Sequence, residues 1–267
     1  MTSLLVGVLI GVTATAGWAL LRRATRRRPA ERRSNRSDTE QLANLASGLV
    51  HEIRNPLSSL KVNLQLLAED WREAQSRPDP DLPRRSFSRL QTICNEADRL
   101  GNILEAFLRF VGHHELRLAP KDLNQIVQHL VDFFTPQARA SRIQLRVSLT
   151  DRPLVCLLDA DLIEQALMNV FVNAQQAMPD GGELIIRTSQ EADRMARLDI
   201  ADTGVGIAPE AIDKIWQAYY STKKGGSGLG LPTTLRIVRE HNGTITVMSE
   251  PQRGTNFTVR LPLAETA

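Results

Sequence analysis

Hydrophobic residues in the first half of the chain recur at steps of three and four, which is the period of an amphipathic helix. One such stripe covers residues 42–67 and a second covers 90–108, and the segment between them contains Pro78, Pro80 and Pro83. Two amphipathic helices joined by a turn bury too little apolar surface to close a core by themselves. The pattern therefore predicts a helical hairpin that dimerises into a four-helix bundle.

After Pro120 the pattern alternates between the helical period and the two-residue period of half-buried strands. It predicts helices over 122–134, 161–178 and 233–242, and strands over 143–149, 154–158, 183–188, 197–201, 244–249 and 256–261. Helices and strands in this order indicate an α+β sandwich, in which helices cover one sheet.

The N-terminus shows a third pattern, because residues 1–21 contain no charged side chain. An apolar helix of this length can cross roughly 30 Å of hydrocarbon. Arginines follow at once, and a positive flank orients a membrane helix with that side in the cytoplasm. A cleaved signal peptide would carry its positive charges before the apolar run. We therefore expect residues 1–21 to form a single-pass anchor in the cell (inner) membrane and residues 22–38 to form a basic linker. The catalytic domains would then lie in the cytoplasm. A signal peptide and a buried helix are the alternatives for residues 1–21.

Length, composition and charge exclude several classes of protein. The 267 residues, 42% of them hydrophobic and 24% charged, suit one large globular domain or two small ones rather than a disordered or fibrous chain. Cys94 and Cys156 are far apart, which argues against a zinc knuckle and a disulfide framework. Residues 22–36 hold eight arginines and one glutamate, so the rest of the chain is slightly acidic despite the net charge of +3. We expect no direct contact with nucleic acid.

His51 is a candidate reactive residue because it falls off the apolar stripe of the first predicted helix, toward solvent. The residues that follow it are Glu52, Ile53, Arg54, Asn55, Pro56 and Leu57. A proline inside a helix removes a backbone hydrogen bond and costs about 3 kcal/mol. Retaining it beside an exposed histidine indicates a shaped site, although a surface histidine beside an accidental proline is also possible.

Two segments of the α+β region carry polar groups that suit a nucleotide. Asn169 and Asn173 are four residues apart on a predicted helix, so both amides share a face that could hold Mg²⁺ or phosphate. Asp202 follows a predicted strand and could accept a hydrogen bond from an exocyclic amine, while Gly204 and Gly206 would admit a flat base close to the backbone. By itself, each segment could also be an ordinary polar pair or turn.

A third segment, over 226–231, has glycine at Gly226, Gly228 and Gly230 and precedes a predicted helix. Its backbone amides and the helix N-terminus would face an anion such as phosphate. A flexible linker is the alternative interpretation.

Residues 51–57 resemble the H-box of bacterial two-component sensor histidine kinases, in which the histidine accepts phosphate from ATP. The three later segments resemble the N, G1 and G2 boxes of the GHKL (Bergerat) ATP-binding fold, shared with DNA gyrase, MutL and heat-shock chaperones, and 254–257 matches its closing element. The resemblance runs from about 39 to 262 and is greatest to the nitrogen-regulation branch, through 177–182 and a short lid. The chain has neither a P-loop lysine motif nor the H-R-D and D-F-G motifs of protein kinases.

The resemblance implies a role for each matching residue. It makes His51 the phosphoacceptor and Asn55 the residue that orients water for dephosphorylation of a partner. From the chemistry of the transfer, which needs a proton removed from the imidazole, we expect Glu52 to be the acid or base that orients the ring and accepts its proton. The resemblance makes Asn173 the ligand of Mg²⁺ and Asp202 the partner of the adenine amino group. The other ATP-binding positions that it implies are Asn169, Gly204, Gly206, Gly226, Gly228, Gly230 and Thr255, with 207–226 as a mobile lid.

The chain departs from the family pattern at two places. Gln176 stands where many members have a lysine, so the phosphate contact there falls to Lys223 or Lys224 of the lid. The aromatic box over 215–223 keeps its aromatic residues and lacks the usual acid and proline, which predicts a different packing of the lid.

The resemblance implies a dimerisation and histidine phosphotransfer domain over 39–114 and an ATP-binding catalytic domain over 115–267. The expected activity is that of an ATP:protein-L-histidine phosphotransferase, which phosphorylates His51 from Mg-ATP, passes the phosphoryl group to an aspartate of a separate response regulator, and also dephosphorylates that regulator. A membrane-tethered scaffold and a non-kinase ATPase of the same fold are the alternatives. The ATPase relatives have a catalytic glutamate where this chain has Asn169, and the presence of His51, Glu52 and Asn55 argues against the scaffold.

Overall fold

The computed structural model describes residues 48–75, 79–112, 115–223 and 226–264. The chain divides into two compact units, Met1–His51 and Glu52–Ala267, and the described end of the first unit is helical. The predicted anchor over 1–21 and linker over 22–38 lie outside the described residues. Within the described ranges, no helix has both the length and the apolar character needed to cross a membrane.

Two long helices form the N-terminal part of the described chain, as the hydrophobic stripes predict. Helix α1 runs through 48–75, continuing past the buried Pro56, and α2 covers Leu82–Val111. The two helices are joined by an ion pair near the turn, where Nε of Arg89 lies 3.3 Å from Oδ2 of Asp70. Large apolar side chains on both helices nevertheless stay exposed in the single chain, namely Leu57, Val62, Leu64, Leu66, Leu90, Leu104 and Leu108.

The remaining elements follow the predicted mixture of helices and strands. In chain order they are β1 (Ala119–Asp122), α3 (Leu123–Ala140), β2 (Ile143–Ser148), β3 (Val155–Leu158), α4 (Ala160–Ala177), β4 (Gly182–Glu191), β5 (Met195–Asp202), α5 (Pro209–Ile212), α6 (Gly230–Glu240), β6 (Thr244–Glu250) and β7 (Gly254–Pro262). The pattern missed β1 and α5 and ended α3 too early, because the helix continues through Pro136. Caps fix two helix starts, since Asp122 and Asp159 accept hydrogen bonds from Asn124 N–H and Leu162 N–H.

Five strands form one mixed sheet in the order β2-β4-β5-β7-β6, and β1 pairs with β3 in a separate sheet. Only β2 and β4 pair in parallel; the other neighbours in the large sheet are antiparallel. Alternate residues of β4 and β5 are fully buried on one face, including Leu184, Ile186, Leu198 and Ile200, and pack with α3, α4 and α6 in a single core. This confirms the α+β sandwich, with helices on one face of the sheet.

Candidate functional site

Asp202 lies at the end of the central strand β5 and is almost completely buried. Its Oδ1 accepts a hydrogen bond of 2.9 Å from the backbone N–H of Gly204, and the sheet register places it opposite Thr255 of β7. Burial raises the pKa of Asp202, while the N–H groups of Gly204 and Thr255 and the charge of Lys223 act in the opposite direction. Asp202 therefore places a buried hydrogen-bond acceptor at the end of the central strand.

The loop after Asp202 packs tightly against α4. The backbone N–H of Val205 donates to the carbonyl of Ala177 at 3.0 Å. A Cβ atom at Gly204 would lie 2.5 Å from that carbonyl oxygen, so the close approach needs glycine there. Gly206 follows in the same loop, beside the backbone of Glu250. Gly204 thus brings the loop against the helix that carries Asn173, and Gly206 brings it against the end of β6.

Ser249, at the end of β6, is a part of this site that the sequence did not reveal. Its hydroxyl accepts a hydrogen bond of 2.8 Å from the N–H of Ile207 and lies 2.9 Å from both the carbonyl of Gly254 and Oγ1 of Thr255. It therefore ties the loop after Asp202 to the start of β7. No sequence motif points to Ser249; the structure brings it to the site because it pairs with Thr255 in the β6–β7 register.

Asn169 and Asn173 face the site from α4. The Nδ2 atom of Asn169 donates to the carbonyl of Gly230 at 3.2 Å, which connects α4 to the start of α6. The ammonium of Lys223 lies 3.2 Å from the carbonyl oxygen of Asn173, 3.4 Å from its Oδ1 and 3.0 Å from Oε1 of Gln176. A lid lysine thus reaches the position where the family pattern would have placed a lysine and this chain has Gln176.

The charge state of Lys223 is affected by its surroundings. Burial lowers the pKa of Lys223, and the negative charge of Asp202 partly offsets this. Burial thus disfavours the charged ammonium, whereas the oxygen atoms of Asn173 and Gln176 around it are groups that can pair with a cation. Mg²⁺ is commonly held by one or two protein oxygens together with phosphate and water. The described residues contain no group of three His, Cys, Asp or Glu side chains that could hold a metal by themselves.

The glycine-rich segment closes the site at the start of α6. Gly228 has a φ of +64°, and a Cβ atom there would lie 2.5 Å from the carbonyl carbon of Tyr219. The N–H of Tyr219 donates to the carbonyl of Gly228 at 3.1 Å, so the aromatic box and this segment are held together. The Trp216 ring packs edge-on against Phe257, with centroids 6.1 Å apart, which anchors the box on β7 without the usual acid and proline. A Cβ atom at Gly226 would lie 2.6 Å from Oγ of Ser221, and Lys224 lies outside the described residues.

The three predicted residues on α1 have different surroundings. His51 and Asn55 are exposed, whereas Glu52 is partly buried. Oε2 of Glu52 lies 3.9 Å from Nη2 of Arg99 on α2. Burial, and then the negative charge of Glu52, raise the pKa of the Tyr219 phenol, so Glu52 lies near the lid.

Two family matches cover about two thirds of the chain. Residues 41–112 match the His Kinase A (phospho-acceptor) domain. Residues 158–265 match the histidine kinase-, DNA gyrase B- and HSP90-like ATPase family. The first match contains His51, and the second contains Asn173, Asp202 and Thr255.

Curated relatives match the chain over both of these regions. Sensor histidine kinase ZraS of Escherichia coli (strain K12) is 35% identical over 222 residues, which are 83% of this chain and 46% of that protein. Sporulation kinase E of Bacillus subtilis (strain 168) is 30% identical over 252 residues, which are 93% of this chain and 32% of that protein. The chain thus spans about half the length, or less, of these relatives.

Solved structures share the fold. The histidine kinase ThkA, in complex with the response regulator protein TrrA, superposes with a TM-score of 0.69 at 23% identity, covering 86% of this chain and 64% of that one. Full-length ShkA in complex with AMPPNP gives a TM-score of 0.59 at 25% identity, covering 84% of this chain and 46% of that one.

Proposed function

We propose, because this chain belongs to the bacterial two-component sensor histidine kinases, that it is a histidine kinase that phosphorylates His51 from Mg-ATP. The phosphoryl group then passes to an aspartate of a separate response regulator. ATP is the nucleotide, held between α4, the loop after Asp202 and the start of α6. The domains in this proposal are 39–114 for phosphotransfer and 115–267 for ATP binding.

The observation that carries this proposal is the convergence of three distant segments on one end of the sheet. Lys223 contacts Asn173 and is close enough to Asp202 for each charge to affect the pKa of the other. Asn169 reaches the carbonyl of Gly230. A buried carboxylate, an amide oxygen and glycine amides at a helix N-terminus are the groups needed for an adenine amine, a divalent cation and a triphosphate.

Each part of the pocket then has a task in the transfer. Asp202 accepts a hydrogen bond from the adenine amino group, and Gly204, Gly206 and Thr255 shape the space for the base. Asn173 would hold Mg²⁺ through its side-chain oxygen, and the ion would supply positive charge to the phosphates. The remaining positions that border the triphosphate are Asn169, Gly226, Gly228, Gly230 and the lid lysines Lys223 and Lys224.

On the phosphoacceptor helix, His51 is the nucleophile and its exposure leaves the imidazole accessible to a phosphoryl donor. Glu52, the next residue, orients the ring and takes its proton. Positioning and electrostatic stabilisation supply most of the catalysis in phosphoryl transfer, so the geometry of these groups sets the rate.

The proposal is tested by incubating the chain with Mg²⁺ and ATP labelled at the γ-phosphate. We expect protein-bound label that is lost in acid and kept in alkali, as a phosphorus–nitrogen bond requires. Tight ATP binding without such label would favour the scaffold alternative instead. The ATPase alternative is disfavoured by Asn169, because an amide that donates to the Gly230 carbonyl offers no carboxylate to activate water.

Lys223→Met is expected to raise the Kd for ATP about tenfold, because it removes the ammonium nearest to the proposed cation and phosphate position. Isothermal titration calorimetry measures the effect. Lys214→Met is the matched control, since Lys214 is an exposed lysine of the same segment. Equal affinities for wild type and Lys223→Met would show that this lysine does not contact the triphosphate.

Asn55→Ala is expected to slow dephosphorylation of the response regulator at least tenfold and to leave His51 phosphorylation within about threefold, because the amide acts on water rather than on ATP. Ser58→Ala is a suitable control on the same helix, since the Ser58 hydroxyl already donates to the carbonyl of Arg54. The assay follows loss of label from the phosphorylated regulator. Unchanged dephosphorylation in Asn55→Ala would remove this role.

Dimerisation and membrane attachment complete the proposal. The exposed apolar side chains of α1 and α2 support a homodimer through a four-helix bundle, in which they would be buried.

The uncharged segment over 1–21 and the arginines after it support a single membrane-spanning helix, with both catalytic domains on the cytoplasmic side.

A further inference from the structure

Arg99, on α2, lies between two parts of the proposed reaction site. Its Nη2 atom is 3.9 Å from Oε2 of Glu52, and 31% of its side chain is exposed. It also lines a cavity of about 570 Å³ whose other wall includes Asn169 and Gly230. One guanidinium therefore contacts the acid next to His51 and borders the space at the glycine-rich segment.

The charge of Arg99 is distinctive within this cavity. Among the described residues that line it, Arg99 is the only cation and Asp98 the only anion. The other lining side chains of α2 are the amides Asn95 and Asn102 and the apolar Ile103. Among these lining residues, Arg99 alone can therefore attract a carboxylate by its charge.

Arg99 also has hydrogen-bonding capacity to spare. Its Nη1 atom is 3.8 Å from Oε2 of Glu96 and its Nη2 atom is 3.9 Å from Oε2 of Glu52, so neither ion pair is at hydrogen-bond distance. Its Nε atom and Oε2 of Glu96 are both buried without a hydrogen-bond partner among the described residues. A guanidinium has five N–H donors in a planar fork, and leaving a buried donor unpaired costs about 1–3 kcal/mol. A closer approach of the Glu52 carboxylate would give the N–H groups of Arg99 an acceptor.

We propose that Arg99 is a positioning residue that holds the Glu52 carboxylate in the orientation in which it takes the proton of His51. This inference rests on the proposed function. In the transfer, one ring nitrogen of His51 forms the bond to the γ-phosphorus with its lone pair. The bond from that phosphorus to the bridging oxygen breaks, ADP leaves with the electron pair, and the proton on the other ring nitrogen passes to Glu52.

The surroundings of Tyr219, in the lid, also indicate that Glu52 lies close to the reaction site. The charge of Glu52 contributes, after burial, to the raised pKa of Tyr219, whose hydroxyl oxygen is buried without a partner among the described residues. Glu52 thus has Arg99 nearby on α2 and the aromatic box nearby on the lid. A carboxylate that is already oriented loses less entropy when it acts as a base, which speeds the proton transfer.

The test compares Arg99→Ala and Arg99→Lys with Arg89→Ala in a single turnover at saturating Mg-ATP. Arg89 is a matched control, because it also lies on α2, also pairs with an acid of α1, Asp70, and does not line the cavity. We expect Arg99→Ala to lower the rate constant about 10- to 100-fold with the Kd for ATP within about threefold. Arg99→Lys should recover part of the rate, and Arg89→Ala should stay within about twofold of wild type.

A second comparison tests whether Arg99 acts through Glu52 or directly on the reacting groups. If Arg99 acts through that carboxylate, Glu52→Gln with Arg99→Ala is no slower than Glu52→Gln alone. Three results would each overturn the inference. The double variant could be a further tenfold slower, Arg99→Ala could raise the Kd for ATP with an unchanged rate constant, or Arg99→Ala and Arg89→Ala could have equal effects. A wild-type chain without acid-labile label would overturn the proposed function and the inference with it, whereas a labelled wild type with an unaffected Arg99→Ala overturns the inference alone.

Discussion

His51→Gln is expected to reduce acid-labile labelling from γ-labelled ATP to background, a loss of at least roughly 10³-fold. Glutamine has a side chain of similar reach, but its amide nitrogen has no lone pair available to attack phosphorus. His51 is exposed on α1, so the substitution breaks no packing and the fold should be kept. The Kd for ATP should stay within about twofold, because the residue is not part of the nucleotide pocket.

The control for this prediction is His129→Gln. His129 is an exposed histidine of α3 whose Nδ1 lies 3.1 Å from Oε1 of Glu164, so it also has an acid beside it. Its replacement should leave labelling within about twofold of wild type. If acid-labile label persists in His51→Gln and disappears in His129→Gln, the phosphoacceptor lies on α3 and not on α1. That result would refute the proposed mechanism.

Asp202→Asn is expected to raise the Kd for ATP roughly 100-fold, or about 3 kcal/mol of binding free energy. The single amide oxygen of asparagine would be used by the N–H of Gly204, which now bonds to Oδ1. The other oxygen would be replaced by an NH₂ group, and this group would face the adenine amine, so that two donors meet. Labelling of His51 at low ATP concentration should fall in proportion.

The same substitution should leave folding intact, which separates binding from stability. Because burial raises the pKa of Asp202, ionisation of this carboxyl costs free energy in the folded state. Asparagine carries no charge, so the Tm at neutral pH should not fall. Asp199→Asn on the same strand is the control: its carboxylate bonds to Arg197 at 2.7 Å, and its loss should leave the Kd for ATP within about twofold. An unchanged Kd in Asp202→Asn would exclude this residue as the adenine partner.

Local sequence determined most of the elements of this protein. Leu184, Ile186, Leu198 and Ile200 alternate with residues of the other face, and a period of two is compatible with a half-buried strand but not with a helix. The segment from Asp202 to Gly206 was identifiable for a similar reason, because its carboxylate and glycines lie within five residues. Helix ends are not determined by local sequence alone, as at Pro136, because capping and packing decide how far a helix continues.

Contacts between distant segments required the tertiary structure. Lys223 is 50 residues from Asn173 along the chain, and the sequence left Lys223 and Lys224 equally possible as the source of the missing charge. The contact of Lys223 with Gln176 depends on how the lid folds against α4.

The chain's own sequence therefore fixed which chemical groups the site contains, because their identity and local spacing are covalent facts. Only the tertiary structure decided which of them meet. Asp202 faces Thr255 because β5 and β7 pair in one register, Ser249 joins the site because β6 pairs beside them, and Arg99 reaches Glu52 because α1 and α2 pack in one alignment. Registers and alignments are set by the whole core at once, so no short stretch of sequence specifies them.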